Sequence, residues 1–213
     1  MTRIAVIGGT GYAGSHIVAE AVRRGHTVLS IARTVPGERV EHATYLEGTL
    51  LDVPSLVTEL QGVEVVVSAV AARGDMTGLL RPAIEQLNSV LPEDVRIGVI
   101  GGAGGSRVAE GGPRLVDTPE FTEEYKPEAR EALGILEDLQ ADASGRDWFY
   151  VHPAGGFGAW APGERTGAYR DGGEVLVVDA EGESFISGAD LAVAVIDEIE
   201  NPRHSRENFA VGY

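Results

Sequence analysis

Gly8, Gly11 and Gly14, spaced Gly-x-x-Gly-x-x-Gly inside GGTGYAGS, stand between an apolar run, Arg3 to Ile7, and an amphipathic one, Tyr12 to Arg24. Glycine loses more backbone freedom on folding than any other residue, so a cluster of them implies a tight turn or a close approach that a Cβ would block. Gly25 ends the amphipathic run and a second apolar run follows at Thr27 to Ala32, so the segment reads as strand, turn, helix, strand. That is a β-α-β unit. Main-chain NH groups of such a turn, at the N-terminus of a helix, bind a pyrophosphate without any lysine, and this context is the fingerprint of dinucleotide binding.

The remaining chain continues the alternation. Ala43 to Glu47, Val63 to Val70, Val95 to Ile100 and Trp148 to Val151 read as strands, and Val53 to Leu60, Met76 to Leu91 and Pro127 to Ala143 as helices. Met76, Leu79, Leu80, Ile84 and Leu87 are spaced as the core stripe of their helix. The fold class expected is α/β, a doubly wound, mostly parallel, Rossmann-like sheet. After Val151 glycine, proline and short β-like pieces take over: Thr166 to Arg170, Glu174 to Val178 and Ser184 to Ile186. We expect one dinucleotide-binding domain over residues 1–213, with 153–187 forming a small substrate-side subdomain. A helix from Gly188 and a short strand around Phe209 to Val211 complete the chain.

A formal charge of −16 disfavours nucleic acid and anionic lipid as partners, because the arginines are scattered rather than clustered. An anionic ligand must therefore be held by local geometry. There is no cysteine, hence no disulfide or thiolate chemistry. No segment reaches the roughly 20 apolar residues of a membrane helix, so no membrane association is expected, and the cytoplasm is the expected compartment. His16, His26, His42 and His204 lack metal-ligand spacing, and no metal is expected.

Beyond the turn, SAVAARGD, VIGGAGG, LVDTPEFTEEYKPEA, PGERTGAYR and the closing ENFAVGY resemble the NAD(P)-binding, NmrA-like branch of the atypical short-chain dehydrogenases. Within it the chain is most similar to bacterial proteins described as NADH-flavin reductases, and more distantly to flavin reductase/biliverdin reductase B. The resemblance covers essentially the whole chain, and EYKPEA and PGERTG are its most particular segments. Relatives usually carry Gly-Asp after the third strand to hold the adenine; here it is Gly48-Thr49, and Asp52 comes too late to replace the acid, leaving main chain near Leu50.

The cofactor residues expected are Gly8, Thr10, Gly11, Tyr12 and Gly14 at the turn, Ser68, Ala69, Val70 and Arg73 after the fourth strand, and Gly101 and Gly102 after the fifth. Where an NAD-preferring unit places an acid at the end of its second strand, this chain has Ala32-Arg33-Thr34. Arg33 there favours the 2′-phosphate of NADP, with NAD the alternative if it is only a solvated charge.

Typical short-chain dehydrogenases use Tyr-x-x-x-Lys on one helix. The sole lysine is Lys126, with Thr122 four residues before it, so that dyad is absent. Tyr125 and Lys126 are adjacent at a helix entrance marked by Pro127. A compact ammonium kept only here is a candidate for chemistry, and a solvated helix-end charge is the alternative. His152 follows the sixth strand at the carboxyl edge of the sheet, as a proton donor, a pocket wall or a buried hydrogen-bonded histidine. The function expected is hydride transfer from NADPH to a flavin-like, quinone-like or tetrapyrrole acceptor by a monomer or homodimer. The alternative is a non-catalytic NADP-binding redox sensor of NmrA-like type.

Overall fold

The computed structural model describes residues 1–213. In chain order the elements are β1 (Arg3–Ile7), α1 (Tyr12–Arg23), β2 (Thr27–Ala32), β3 (Ala43–Glu47), α2 (Val53–Glu59), β4 (Val65–Ser68) and α3 (Leu80–Val90). Then come β5 (Arg96–Ile100), α4 (Lys126–Ala141), β6 (Trp148–Pro153), β7 (Arg170–Asp171), α5 (Gly188–Glu200) and β8 (Glu207–Gly212). The strands form one sheet in the order β3-β2-β1-β4-β5-β6-β8-β7. All pairs are parallel except β7 with β8. This is the doubly wound Rossmann-like sheet that the sequence predicts.

Successive side chains of a strand point to opposite faces, and β1 shows what covers each. Ile4 and Val6 pack with Ile17, Val18 and Ala21 of α1 and Leu191, Val195 and Ile199 of α5. Ala5 and Ile7 pack on the other face with Leu56 of α2, Leu80, Ile84 and Leu87 of α3, and Leu136 and Leu139 of α4. Both faces of the sheet are therefore buried. Because β1 pairs β2 on one side and β4 on the other, the strand order reverses there, and ligands of open α/β sheets bind at the carboxyl edge of such a point.

Two expectations shift. The helix predicted from Met76 begins only at Leu80, and Gly74–Met76 forms a separate 3₁₀ turn. The start is set from outside the segment: the Glu131 carboxylate on α4 accepts from the amides of Gly78 (2.6 Å) and Leu80 (2.8 Å), capping α3 at that residue. Among the β-like pieces after Val151, only Arg170–Asp171 is a strand; Val175 and Phe185 make single bridges to Arg107 and Gly156.

Candidate active site at the carboxyl edge of the sheet

β1 hands the chain to α1 through a turn that closes on its neighbours. The Gly8 and Gly9 amides both donate to the Ile31 carbonyl (2.8 and 3.1 Å), and the Gly11 amide donates to the Gly8 carbonyl at 2.9 Å. Gly8 has φ +81°, which a residue with a Cβ adopts only under strain, and a Cβ there would lie 2.9 Å from the Ala69 carbonyl oxygen. At Gly14 a Cβ would collide with the Gly8 carbonyl and come within 2.8 Å of Gly9 Cα. The turn is thus packed onto the helix that follows. That helix has no side-chain cap and no acidic residue in its first turn. Its first amides are unfilled by the chain, which is the condition for an anion to sit there.

The loops after β2 and β4 flank this turn. Ser68 is buried with its hydroxyl unpartnered, and the Ala69 amide donates to the Ile7 carbonyl at 2.8 Å, so that loop lies directly against Gly8. Val70 packs against the core. Arg33 and Arg73 are both well exposed and both paired, Arg33 with Asp75 and Arg73 with Glu128, each at 2.8 Å. Asp52 is used locally, accepting from the Ser55 amide (3.3 Å) as the cap of α2, and Thr49 Oγ1 accepts from the Leu51 amide at 3.2 Å.

After β5 the chain folds over the end of β6. Gly101 packs on the Tyr150 ring and Gly105 on the His152 imidazole, where a Cβ would meet each ring. His152 Nδ1 donates to the Gly102 carbonyl at 3.0 Å, and the whole side chain is 0 % exposed. Burial, only partly opposed by that hydrogen bond, pushes its pKa down to about 4. The imidazole is therefore neutral near pH 7, with an unpartnered lone pair on Nε2. Ser106 Oγ is likewise buried and unpartnered, a feature that residue spacing does not signal. Tyr125 is exposed at the entrance of α4, and Lys126 Nζ pairs with Glu123 of the preceding turn. His152 thus lies at the expected edge, beneath the β5 loop, and Lys126 bonds to its own helix entrance rather than to His152.

The segment between Ala154 and Ser187 covers the other side of this edge. Tyr12, expected beside the cofactor, turns its side chain to that segment: its hydroxyl donates to the Pro162 carbonyl (3.0 Å) and accepts from the Gly188 amide (3.0 Å). Only its main chain remains at the turn. Asp190 anchors the same segment from full burial, accepting from the amides of Thr166 and Gly167 (both 2.8 Å), from Thr166 Oγ1 (2.7 Å) and from the Tyr213 hydroxyl (2.5 Å). Burial raises its pKa, but the bonds from Tyr213, Thr166 and Gly167 outweigh it and leave the carboxyl below its ordinary range. The Ser187-x-x-Asp190 spacing was the visible signal, since it is a helix-capping pattern, and Ser187 Oγ accepts from the Asp190 amide at 3.1 Å.

Two further clefts, of about 280 and 240 Å³, lie between α3 and α4 and between α5 and β8. Neither includes a residue of the glycine turn. No helix is long and apolar enough to cross a membrane.

Residues 8–202 match the family described as NAD(P)H-binding. An uncharacterized protein of Bacillus subtilis, YwnB, is 37 % identical over 212 residues, which is 98 % of this chain and 97 % of that protein. A structure from Streptococcus pneumoniae described as a "putative NADH-flavin reductase" is 35 % identical, with TM-score 0.88 and 100 % and 99 % of the two chains covered. One from Bacteroides thetaiotaomicron described as a "putative epimerase" is 29 % identical, with TM-score 0.86 over 100 % and 97 %. The turn that admits no Cβ at Gly8 or Gly14, the uncapped helix behind it and this family match agree: the chain belongs to the NAD(P)H-binding family, in its NmrA-like atypical branch, and its cofactor is a nicotinamide dinucleotide.

Proposed function

We propose that the chain is a reductase that uses NADPH to reduce a planar flavin-like or quinone-like acceptor. The observation that carries the reading is the bare N-terminus of α1 behind a glycine turn with no room for side chains at Gly8 and Gly14. The amides after Gly11 would hold the pyrophosphate, Arg33 the 2′-phosphate once released from Asp75, and the main chain at Ala69 and Gly102 would line the ribose and nicotinamide. A bound reduced nicotinamide supplies the hydride, and the protein supplies binding and orientation. His152, neutral and held by Gly102, forms the wall beneath that position. A flavin or quinone takes its proton from water, so a Tyr-x-x-x-Lys dyad is dispensable for such acceptors.

The test is steady-state NADPH oxidation with free flavins, quinones and a tetrapyrrole. Turnover is expected with a flavin. Tyr125→Phe and Lys126→Met should each keep kcat well above the level left by the roughly 10²–10⁴-fold loss that follows removal of a general acid. Loss of turnover in Tyr125→Phe with NADP binding intact would instead assign that tyrosine the proton transfer. The second reading, a non-catalytic NADP-binding sensor, is favoured by the complete burial of His152. It takes the lead if protein that binds NADPH well reduces none of these acceptors.

A further inference from the structure

Among two tryptophans, six tyrosines and five phenylalanines, only Trp160 (76 %) and Tyr125 (58 %) stand out as exposed. Both lie at the carboxyl edge of the sheet, Tyr125 at the entrance of α4 and Trp160 on the loop that leaves β6. The other tryptophan, Trp148, is 1 % exposed in the core. An aromatic ring gains more from burial than almost any other side chain, so an indole held in solvent beside a ligand-binding edge forgoes that gain.

The loop that carries Trp160 is fixed on both sides of it. Before it, the Phe157 ring packs on the Tyr12 ring at 5.3 Å, and the Gly156 amide donates to the Ser184 carbonyl at 2.7 Å. After it, the Pro162 carbonyl accepts from the Tyr12 hydroxyl. A turn closes between them, with the Ala161 amide donating to the Gly158 carbonyl at 3.0 Å. The indole lies over Gly158, where a Cβ would come within 2.8 Å of its Cδ1 atom. Tyr12 is the first residue of α1, directly after the glycine turn. Trp160 is thus presented from an anchored loop next to the cofactor turn, with its ring open to solvent.

We propose that Trp160 is the stacking face for the acceptor: a planar, conjugated ring such as an isoalloxazine or a naphthoquinone lies against the indole, which fixes its place beside the nicotinamide site. The inference rests on the reductase reading for its acceptor class, but the binding it describes is measurable without turnover. Stacking on an indole is tolerant of ring chemistry because any flat π-system presents a face, so Trp160 sets a preference for shape rather than for one compound.

Calorimetric titration of the full chain, saturated with NADP⁺ so that no reduction occurs, with FMN, riboflavin and 1,4-naphthoquinone tests this directly. Trp160→Ala should weaken acceptor binding about tenfold, the scale of a lost aromatic stack, and leave NADP⁺ affinity and the melting temperature unchanged. Trp160→Phe should keep most of the affinity. In turnover, the same Trp160→Ala change should raise KM for the acceptor with kcat little altered, and flavin emission quenched by the wild type should stay unquenched by this variant. If Trp160→Ala binds the acceptors as the wild type does, or if the wild type binds none of them, the proposal is overturned. It is equally overturned if the substitution changes only the sedimentation behaviour, which would make Trp160 a contact between copies of the chain. If the wild type binds the rings through Trp160 yet oxidises no NADPH, this inference stands and the reductase reading fails.

Discussion

The glycine turn and the segment from Ala154 to Ser187 lie side by side at one edge of the sheet, yet different forces hold them. In the turn, main chain bonds to main chain and there is no space at Gly8 or Gly14 for one more carbon. The covering segment has a two-residue strand as its only regular element and is tied down by side chains outside it: Tyr12 on Pro162, Asp190 on Thr166 and Gly167, and His204 on Asp171. One region fails when an atom is added. The other fails when a polar atom is removed, because a buried donor left without its acceptor costs more than an average hydrogen bond contributes.

The largest effect should come from adding that atom. Gly14→Ala places a Cβ against the Gly8 carbonyl, so α1 must move off the turn; we expect NADP(H) binding to vanish and stability to fall by about 1–3 kcal/mol, the range for overpacking. Gly11→Val differs instructively. A Cβ at Gly11 has only the Gly8 oxygen near it, at 3.3 Å, so the fold should persist while the side chain fills the pyrophosphate position. Calorimetry beside thermal melts separates the two, and wild-type affinity in Gly14→Ala would erase the contrast between the regions.

Removing the polar anchor comes next. Asp190→Ala strands the amides of Thr166 and Gly167, at about 3 kcal/mol, while the Thr166 and Tyr213 hydroxyls keep the Ala168 carbonyl (3.1 Å) and Ser187 Oγ (3.0 Å) as acceptors. Urea unfolding should show that loss and limited proteolysis should open the 154–187 segment, with NADP(H) affinity nearly unchanged. A variant that loses cofactor and segment together would mean the two regions are one unit.

Smaller again is Arg33→Ala, expected to lose about 1.5–3 kcal/mol for NADP(H), the range for a charged hydrogen bond, and almost nothing for NAD(H). Asp75→Asn should act in the opposite sense, since Asp75 holds the same guanidinium. Equal losses for both cofactors would remove the 2′-phosphate from the account of Arg33.

The mildest change is in the pH profile of stability, and part of it reaches the covering segment through Asp171. Burial works against a charged His204 ring, but bonds to Asp171 (3.0 Å) and Glu198 (2.8 Å) prevail and raise its pKa to about 9. Its contribution is complete below the ordinary histidine value of 6.5 and is lost as pH rises through about 9. His204→Gln should flatten that alkaline limb. On the acid side, Glu20 is lowered to about 2 by hydrogen bonds from Arg23 and Arg24 that outweigh its burial. Glu198 also falls to about 2, because bonds from His204 and Arg96 overcome its larger burial cost. Both lose their contributions as pH falls from 4.5 toward 2. Buried His152 loses stability earlier, as pH falls from 6.5 toward about 4, because the unfolded chain binds a proton that the folded one refuses.

The same contrast explains what could be read in advance. Arg3 to Ile7, Thr27 to Ala32 and Ala43 to Glu47 coincide with β1, β2 and β3, and the Gly-x-x-Gly-x-x-Gly spacing led directly to the turn. Apolar runs and glycine spacing are local, and these elements are fixed locally. The start of α3 is not legible in its own segment because Glu131, on another helix, decides it. Of the β-like pieces after Val151, Thr166 to Arg170 is mostly irregular because Thr166 and Gly167 bond to Asp190 rather than to a strand, and Val175 and Phe185 make only single bridges. Proximity to Gly11 puts Tyr12 at the turn, and nothing in its neighbourhood says that its hydroxyl reaches Pro162.

The two-residue strand β7 has one more consequence, for how the molecule behaves in a crowd. A parallel sheet ends in two rows of unpaired amides and carbonyls, each a template on which another chain could add a strand. At one end β7 pairs with Val211 and Gly212 of β8, and the main chain of Gly172 and Gly173 bonds to Ala210 just beyond. What faces outward is then an arginine and an aspartate on a strand too short to template a partner. The irregular segment over the carboxyl edge therefore also blunts the sheet against intermolecular strand pairing, so loosening it through Asp190 would expose β8 to aggregation.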